Sequence, residues 1–238
     1  MLNQRFWRRY FRVYDTLLQV RPYKELLDKL VESLDIRGGE KILDAGAGTG
    51  NLAILLKNAG ADVTVVDFSE EALEIYKKKD TTATVIVHDL TKRLPFVDAT
   101  FDKVVSNNAL YNIPREKRLG VFLELKRILK PGGIIVISNI HENAKPFLIY
   151  VEAVKKTFKE EGFLKVVNTM LDLVVPTVKI FYYTIRIQHT YKNDEKNNFF
   201  DVKEQYKFLA MTGFVNINDT EFVYAKQGIL DKAKKPNS

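Results

Sequence analysis

Lys41-Ile42-Leu43-Asp44-Ala45-Gly46-Ala47-Gly48-Thr49-Gly50-Asn51 is a short apolar run that breaks into three closely spaced glycines and then opens a helix-type stretch. Residues 41–44 read as a strand and 51–59 as the helix after it. Glycines at a strand-to-helix turn let a ligand approach the backbone where side chains would obstruct it. The spacing is G-x-G-x-G. A dinucleotide fingerprint would require its third glycine at position 51, where this chain has Asn51.

Working outward, strand-type and helix-type runs alternate. Residues 62–67 form a second strand whose Val63, Val65 and Val66 suit burial on both faces. Ser69 is a natural N-cap for a helix over 70–79. Further strands are expected at 84–88, 101–106 and 134–138, with a helix over 114–129 halted at Lys130-Pro131-Gly132-Gly133. The rhythm lapses over 141–198 and returns with a helix at 201–211 and strands at 214–220 and 221–230. This pattern predicts an α/β fold with a mostly parallel sheet flanked by helices. Within one domain spanning 1–238, the expected parts are an N-terminal helical lid (1–36), a core (37–140), a substrate cap (141–198) and the end of the core (199–238). Asp44, Asp67 and Asp89 end three successive strands and are expected to converge on one crevice. A carboxylate at Asp67 would accept two hydrogen bonds from a ribose diol, and Asp89 would accept from an adenine amino group.

These motifs resemble those of class I S-adenosylmethionine-dependent methyltransferases. The resemblance rests on the 42–50 loop, Val65-Val66-Asp67-Phe68-Ser69, His88-Asp89-Leu90 with Leu94-Pro95-Phe96, the run from Phe101 through Leu110, and Leu125 through Gly133. It implies a Rossmann-like seven-stranded sheet with an antiparallel last strand, and S-adenosylmethionine as cofactor. By resemblance Gly46, Gly48 and Gly50 line the methionine portion, with Asp44 near its amino group. Phe68 flanks the adenine, Asp89 and Leu90 meet its edge, and Asn107 lies beside the sulfonium. The segment from Tyr14-Asp15 to Arg21-Pro22-Tyr23 resembles the lead-in of quinone-biosynthesis and phospholipid methyltransferases, placing Tyr14 near the methionine end. The Asn/Asp-Pro-Pro-Tyr tetrad of adenine and glutamine methyltransferases is absent after the fourth strand, which argues against both.

Composition narrows the chemistry. The chain has 238 residues and no cysteine. Disulfides, cysteine–zinc sites and thiolate nucleophiles are therefore excluded, and the cytosine-C5 methyltransferases with them. No metal site is expected. No apolar run is long enough to span a bilayer and no signal-peptide core is present, so a cytoplasmic location is the expectation. The formal charge of +7 suits nucleic acid, anionic membrane or an acidic substrate, or simply solubility. With no RNA-binding motif, nucleic acid is not the expected partner.

Methyl transfer from a sulfonium is an in-line displacement that needs alignment and exclusion of water; a base matters only if the nucleophile carries a proton. His141, just past the fifth strand, is the first candidate base, and Tyr111, after the fourth, the second. His88 reads as structural or adenine-adjacent, and His189 lies in the irregular insertion. Phe147, Leu148, Tyr150, Phe158 and Phe181-Tyr182-Tyr183 give that insertion an apolar character. A small-molecule or lipid-like acceptor is expected, with an RNA or protein methyltransferase, or a nicotinamide-dependent oxidoreductase on a related fold, as the competing readings. A non-catalytic binder is disfavoured by the acidic trio. On a helix over 5–18, Phe6, Trp7, Tyr10, Phe11, Val13, Tyr14, Leu17 and Leu18 fill one face and Arg5, Arg8, Arg9 and Arg12 the other. Such a helix either covers the cofactor cleft or lies peripherally on an anionic membrane. Oligomeric state is left open.

Overall fold

The computed structural model describes residues 4–145, 147–162, 178–179, 182–183, 186 and 199–237. Seven strands form one sheet: β1 (Lys41–Ala45), β2 (Asp62–Asp67), β3 (Thr84–Val87), β4 (Phe101–Asn107), β5 (Leu129–Ile140), β6 (Glu221–Val223) and β7 (Gly228–Lys234). Their order is β3-β2-β1-β4-β5-β7-β6, and β7 alone runs antiparallel to the rest. The order reverses between β1 and β4, so a crevice opens beyond their carboxyl ends. This is the Rossmann-like, mostly parallel sheet that the motif order implies.

Alternation along each strand sends neighbours to opposite faces. Ile42, Val65, Val105 and Val136 pack with α2 (Arg21–Leu34), α3 (Asn51–Asn58) and α4 (Glu70–Lys79). Leu43, Val66, Val104 and Ile135 pack on the other side with α5 (Arg115–Ile128) and α7 (Glu204–Met211). As expected, Ser69 caps α4, its Oγ accepting from the Ala72 amide at 3.2 Å. Glu70 and Glu71 in the first turn and Lys77 to Lys79 in the last complement the helix dipole. Two further helices, α1 (Gln4–Tyr14) and α6 (Phe147–Glu161), lie outside the alternating βα pattern.

Several expected boundaries move. The N-terminal helix ends at Tyr14 and tightens into a 3-10 segment over Asp15–Gln19. Strand five is longer than 134–138 because it runs back through Pro131, tolerated where the register with β4 shifts between Phe101 and Lys103. The expected strand 214–220 is irregular chain: Asn216 takes φ 50° and Asn218 Oδ1 accepts from the Lys232 amide, leaving one bridge between Val215 and Lys234. The expected strand 221–230 is instead a hairpin, β6 turning into β7. The helix expected from 201 begins at Glu204, after a turn in which Asp201 Oδ1 accepts from the Lys203 amide. Of the expected cap, α6 is described; Phe163, Met170, Leu171, Phe181 and His189 lie outside the described residues. No helix among the described residues is long and apolar enough to cross a membrane, and no group of three or more His, Asp or Glu side chains is placed to hold a metal.

Candidate functional site

Gly46, Gly48 and Gly50 all have positive φ, so the loop after β1 turns three times through left-handed backbone. Two of these glycines are fixed by the protein itself. A Cβ on Gly46 would stand 2.2 Å from the Ala109 Cβ, and one on Gly50 would stand 2.1 Å from the Tyr76 ring. Gly48 differs: its nearest neighbour is Phe11 of α1, at 3.9 Å. Asp67, at the end of β2, knits this loop to the second strand. Its Oδ2 accepts from the Gly48 amide at 2.8 Å and its Oδ1 from the Ser69 amide at 2.9 Å. Burial raises its carboxyl above the usual range despite these backbone donors.

Acceptor atoms without donors mark the crevice. Asp44 is 1% exposed, and its Oδ2 is buried with no hydrogen-bond partner. Burial first, and the neighbouring Asp67 second, push its carboxyl up to about 8. The Oδ1 atoms of Asn107 and Asn108 are likewise buried and unpartnered. Asp44 sits at the end of β1 opposite Val105 of β4, two residues before Asn107, and the Gly46 turn abuts Ala109 just beyond. Buried polar groups are rarely left unsatisfied in native proteins. Amide oxygens and an ionised carboxylate only accept, so the complement that would leave Asp44 ionised is a cation bearing N–H groups. An S-adenosylmethionine molecule, with its ammonium and sulfonium, meets that requirement, and these residues fit it.

The other expected cofactor residues are spread from floor to rim. Leu90 is buried, 3.8 Å from the Cβ position of Gly46. Phe68 is 57% exposed. Asp89 does not join Asp44 and Asp67 in the interior: it is exposed, with its Oδ1 accepting from the Thr91 amide at 2.8 Å in a local turn.

A strap crosses the loop. Asp15, directly after α1, accepts from Thr49 Oγ1 at 2.6 Å and pairs with Lys79 at 2.8 Å. Lys79 in turn donates to the Thr49 carbonyl and to Asn51 Oδ1. Phe11 buries its ring here, so the aromatic face of α1 is engaged with the protein. Arg9, on the opposite face, is exposed.

Rings then run in sequence from the strap to the last hairpin: Tyr10 to Tyr14 (5.7 Å between centroids), Tyr14 to Tyr23 (6.1 Å) and Tyr23 to Tyr224 (6.0 Å). Tyr111 and Tyr150 influence the same phenols electrostatically. Tyr10, Tyr14, Tyr111 and Tyr150 keep part of their surface accessible, yet burial raises the phenols of Tyr10, Tyr14 and Tyr111 above their usual value. Partial access combined with desolvation is what the walls of a cleft experience. Tyr23, more deeply set, is pushed up to about 12, with desolvation the largest cause.

Of the two expected bases, Tyr111 stands in the 3-10 turn after β4, its amide donating to Asn139 Oδ1 at 3.3 Å. His141 is buried against the β6–β7 turn: its Nε2 donates to the Lys226 carbonyl at 3.0 Å and its Nδ1 has no partner. Sequence reasoning did not single out Lys79 or Tyr224, and it saw Asp15 and Tyr23 only as members of the lead-in segment, with no role of their own. Tyr10 and Phe11 were visible only as members of an amphipathic face.

Residues 42–133 match a family model described as a methyltransferase domain. The demethylmenaquinone methyltransferase of Staphylococcus saprophyticus is 27% identical over 213 residues, covering 87% of this chain and 84% of that one. Among solved structures, a SAM-dependent methyltransferase from Aquifex aeolicus superposes with a TM-score of 0.62 at 14% identity, over 98% of this chain and 99% of that one. A chain from a Haloferax volcanii complex of a methyltransferase with the Trm112 methyltransferase activator gives 0.66 at 15% identity, over 99% and 100%. The matched family segment contains the glycine loop, Asp67 and the β4 turn.

Residues 42–133 carry a methyltransferase domain, and with the relatives and the fold they support a class I S-adenosylmethionine-dependent methyltransferase.

A cofactor with an ammonium group would supply donors to the orphaned oxygens at the β1 and β4 ends. The oxidoreductase reading is set aside with it. Asn51 in place of a third glycine fits that outcome: it opens α3 and is tied to Lys79 rather than leaving the backbone bare.

Proposed function

We propose that this methyltransferase acts on a small, planar, hydroxylated aromatic acceptor of the quinol kind, held in the tyrosine-walled cleft. The observation that carries the reading is the run of rings from Tyr10 through Tyr14 and Tyr23 to Tyr224 beside the glycine loop. Aromatic walls favour flat apolar ligands through offset and edge contacts, and phenol hydroxyls supply hydrogen bonds at the rim of such rings. The demethylmenaquinone methyltransferases, similar over 87% of this chain, support a quinone-like acceptor.

In this reading the bound cofactor supplies a methyl group already activated on sulfur. Asp44, Asn107 and Asn108 hold its cationic end, the Gly48 backbone admits it, and Asp67 keeps the loop in shape. Asp67 also retains lone pairs for the ribose hydroxyls. Phe68 and Leu90 take the adenine, with Asp89 at its rim, and Tyr14 closes over the methionine end. The strap of α1 and Asp15 excludes water from the cleft. As a quinol hydroxyl loses its proton, the ortho carbon becomes nucleophilic. Methyl transfer to that carbon would leave the cofactor as its neutral thioether, and the hydroxyl and ring C–H protons would pass to solvent. Tyr111, held protonated by burial, serves as a hydrogen-bond donor to the acceptor oxygen rather than as a base. His141 has already committed Nε2 to a carbonyl, so any base role falls to Nδ1 alone.

Incubation with methyl-labelled cofactor and 1,4-naphthalenediol tests the reading, with catechol, histamine and bulk tRNA run in parallel. Label on a ring carbon of the diol is the expected result. Label on histamine or tRNA with none on the diol would replace the acceptor class.

The arginine face of α1 supports a second, separable proposal: peripheral contact with anionic membrane through charge. With the aromatic face engaged inside the protein, that contact would be electrostatic and would not involve insertion.

A further inference from the structure

The last hairpin carries strain that the chemistry above does not use. β6 and β7 pair as far as Val223 opposite Gly228, leaving Tyr224 to Gln227 as the turn. Tyr224, Ala225 and Lys226 have φ of 54°, 55° and 62°. The left-handed region crowds Cβ against the following carbonyl, and residues other than glycine enter it singly, most often as asparagine or aspartate. Here three in succession do so, and none is of those types. Such strain persists only where the surroundings over-determine it, and it gathers at ligand clamps.

The over-determination is visible in the carbonyls, each of which accepts a hydrogen bond. The Gln227 amide donates to Tyr224 O at 3.1 Å, and the Gln227 side chain to Ala225 O at 2.9 Å. His141 Nε2 donates to Lys226 O at 3.0 Å, and the His141 amide to Gln227 O at 3.3 Å. Gln227 Oε1 accepts in turn from the Lys145 amide at 2.6 Å. His141 and Gln227 are both buried. The residue that follows β5 therefore grips the hairpin from its far side. What the strained turn delivers is Tyr224, whose buried ring completes the aromatic wall beside Tyr23.

We propose that Tyr224 is an acceptor-contacting, specificity-determining residue, and that His141 is the positioning residue that latches the turn carrying it. This rests on the aromatic-acceptor reading. The Tyr224 ring, 8% exposed beside Tyr23, combines flat apolar faces with one hydroxyl, the chemistry that suits the edge of a planar hydroxylated ring. His141 acts through the Lys226 carbonyl, so the hydrogen on Nε2 is its essential feature and proton abstraction by Nδ1 is not.

The test uses the full chain with S-adenosylmethionine bound, and reads amide exchange over 224–230 together with steady-state kinetics on 1,4-naphthalenediol. His141→Gln keeps an N–H donor near the Nε2 position and has no titratable ring; His141→Ala has neither. The alanine variant is expected to speed exchange at Gln227 and Gly228 by about tenfold or more, the signature of a local opening that lost one hydrogen bond. It should also raise KM for the diol by about tenfold, with kcat within about threefold of wild type and cofactor affinity intact. His141→Gln should restore both. Tyr224→Leu should raise KM to a similar degree without changing exchange. Unchanged exchange in His141→Ala would overturn the latch. A kcat equally lost in His141→Gln and His141→Ala would make the imidazole itself the base, and wild-type KM in Tyr224→Leu would remove that residue from the acceptor site. A wild type that neither binds nor methylates the diol overturns the acceptor reading and the part of Tyr224 in it; the exchange measurements still decide the latch.

Discussion

At neutral pH a carboxyl held at about 8 is mostly protonated, so without ligand Asp44 is a buried acid next to Asp67 rather than a second buried anion. In the unfolded chain the same group titrates at about 3.9. Between those values the folded state binds the extra proton, so this group's contribution to stability falls as pH rises through the window. Asp44→Asn removes that loss. Its ligand-free melting temperature should exceed wild type only slightly near about pH 5 and by much more near about pH 8.5, as scanning calorimetry at both values would show. Cofactor binding runs the other way. A cation favours the ionised carboxylate, so affinity should rise from about pH 6 to 8 with proton release, and Asp44→Asn should lose both the slope and about 1–3 kcal/mol of binding. Calorimetry in two buffers of different ionisation enthalpy separates these effects; a flat pH profile in wild type would place Asp44 outside the cofactor contact. Asp44, Asp67 and the three glycines were legible in sequence because their roles are set within a few residues of a strand end. Asp89 occupies the same sequence position as Asp67 but folds back on Thr91, because nothing buries it.

Elements were legible wherever local propensity and packing agree. The 62–67 strand and the 70–79 helix come out as the alternation and Ser69 predict. The conspicuous failure is the stretch 221–230, which reads as one strand because no glycine, asparagine or proline interrupts Tyr224-Ala225-Lys226-Gln227. The chain turns there against its own preference, held by His141 and Gln227, and a break between local and global signals is expected where function is stored. The tyrosine wall was hidden for another reason: its members come from α1, α2, α6 and two turns, and only the folded chain brings them together. The strap shows how such long-range ties can be tested. Asp15→Ala breaks the contacts to Thr49 and Lys79 at once. It should weaken cofactor binding by about tenfold, the worth of one or two exposed-to-buried hydrogen bonds, and speed amide exchange through α1 while leaving β1–β5 protected. Wild-type affinity in that variant would mean that the strap merely rests on the loop.

At the scale of the whole molecule, the sheet order places Asp44, Asp67 and Asn107 at the carboxyl ends of neighbouring strands, while the net charge of +7 belongs to the surface as a whole. These two facts bear differently on membrane contact. An interfacial helix binds by burying its apolar face in lipid, but Phe11 of α1 is buried against the glycine loop and Tyr10 and Tyr14 join the aromatic wall. Of the basic face, Arg9 is exposed. Basic residues near an anionic leaflet contribute about 1 kcal/mol each, and that attraction decays over a Debye length of about 10 Å at 0.1 M salt. Sedimentation with vesicles rich in anionic lipid should therefore show association at low salt that disappears at about 0.5 M, with cofactor-saturated protein behaving like cofactor-free protein. Association that survives high salt, and that saturating cofactor suppresses, would mean that α1 leaves the cleft to insert its aromatic face. The lid and the membrane anchor would then be two positions of one helix, and cofactor loading would compete with the bilayer for it.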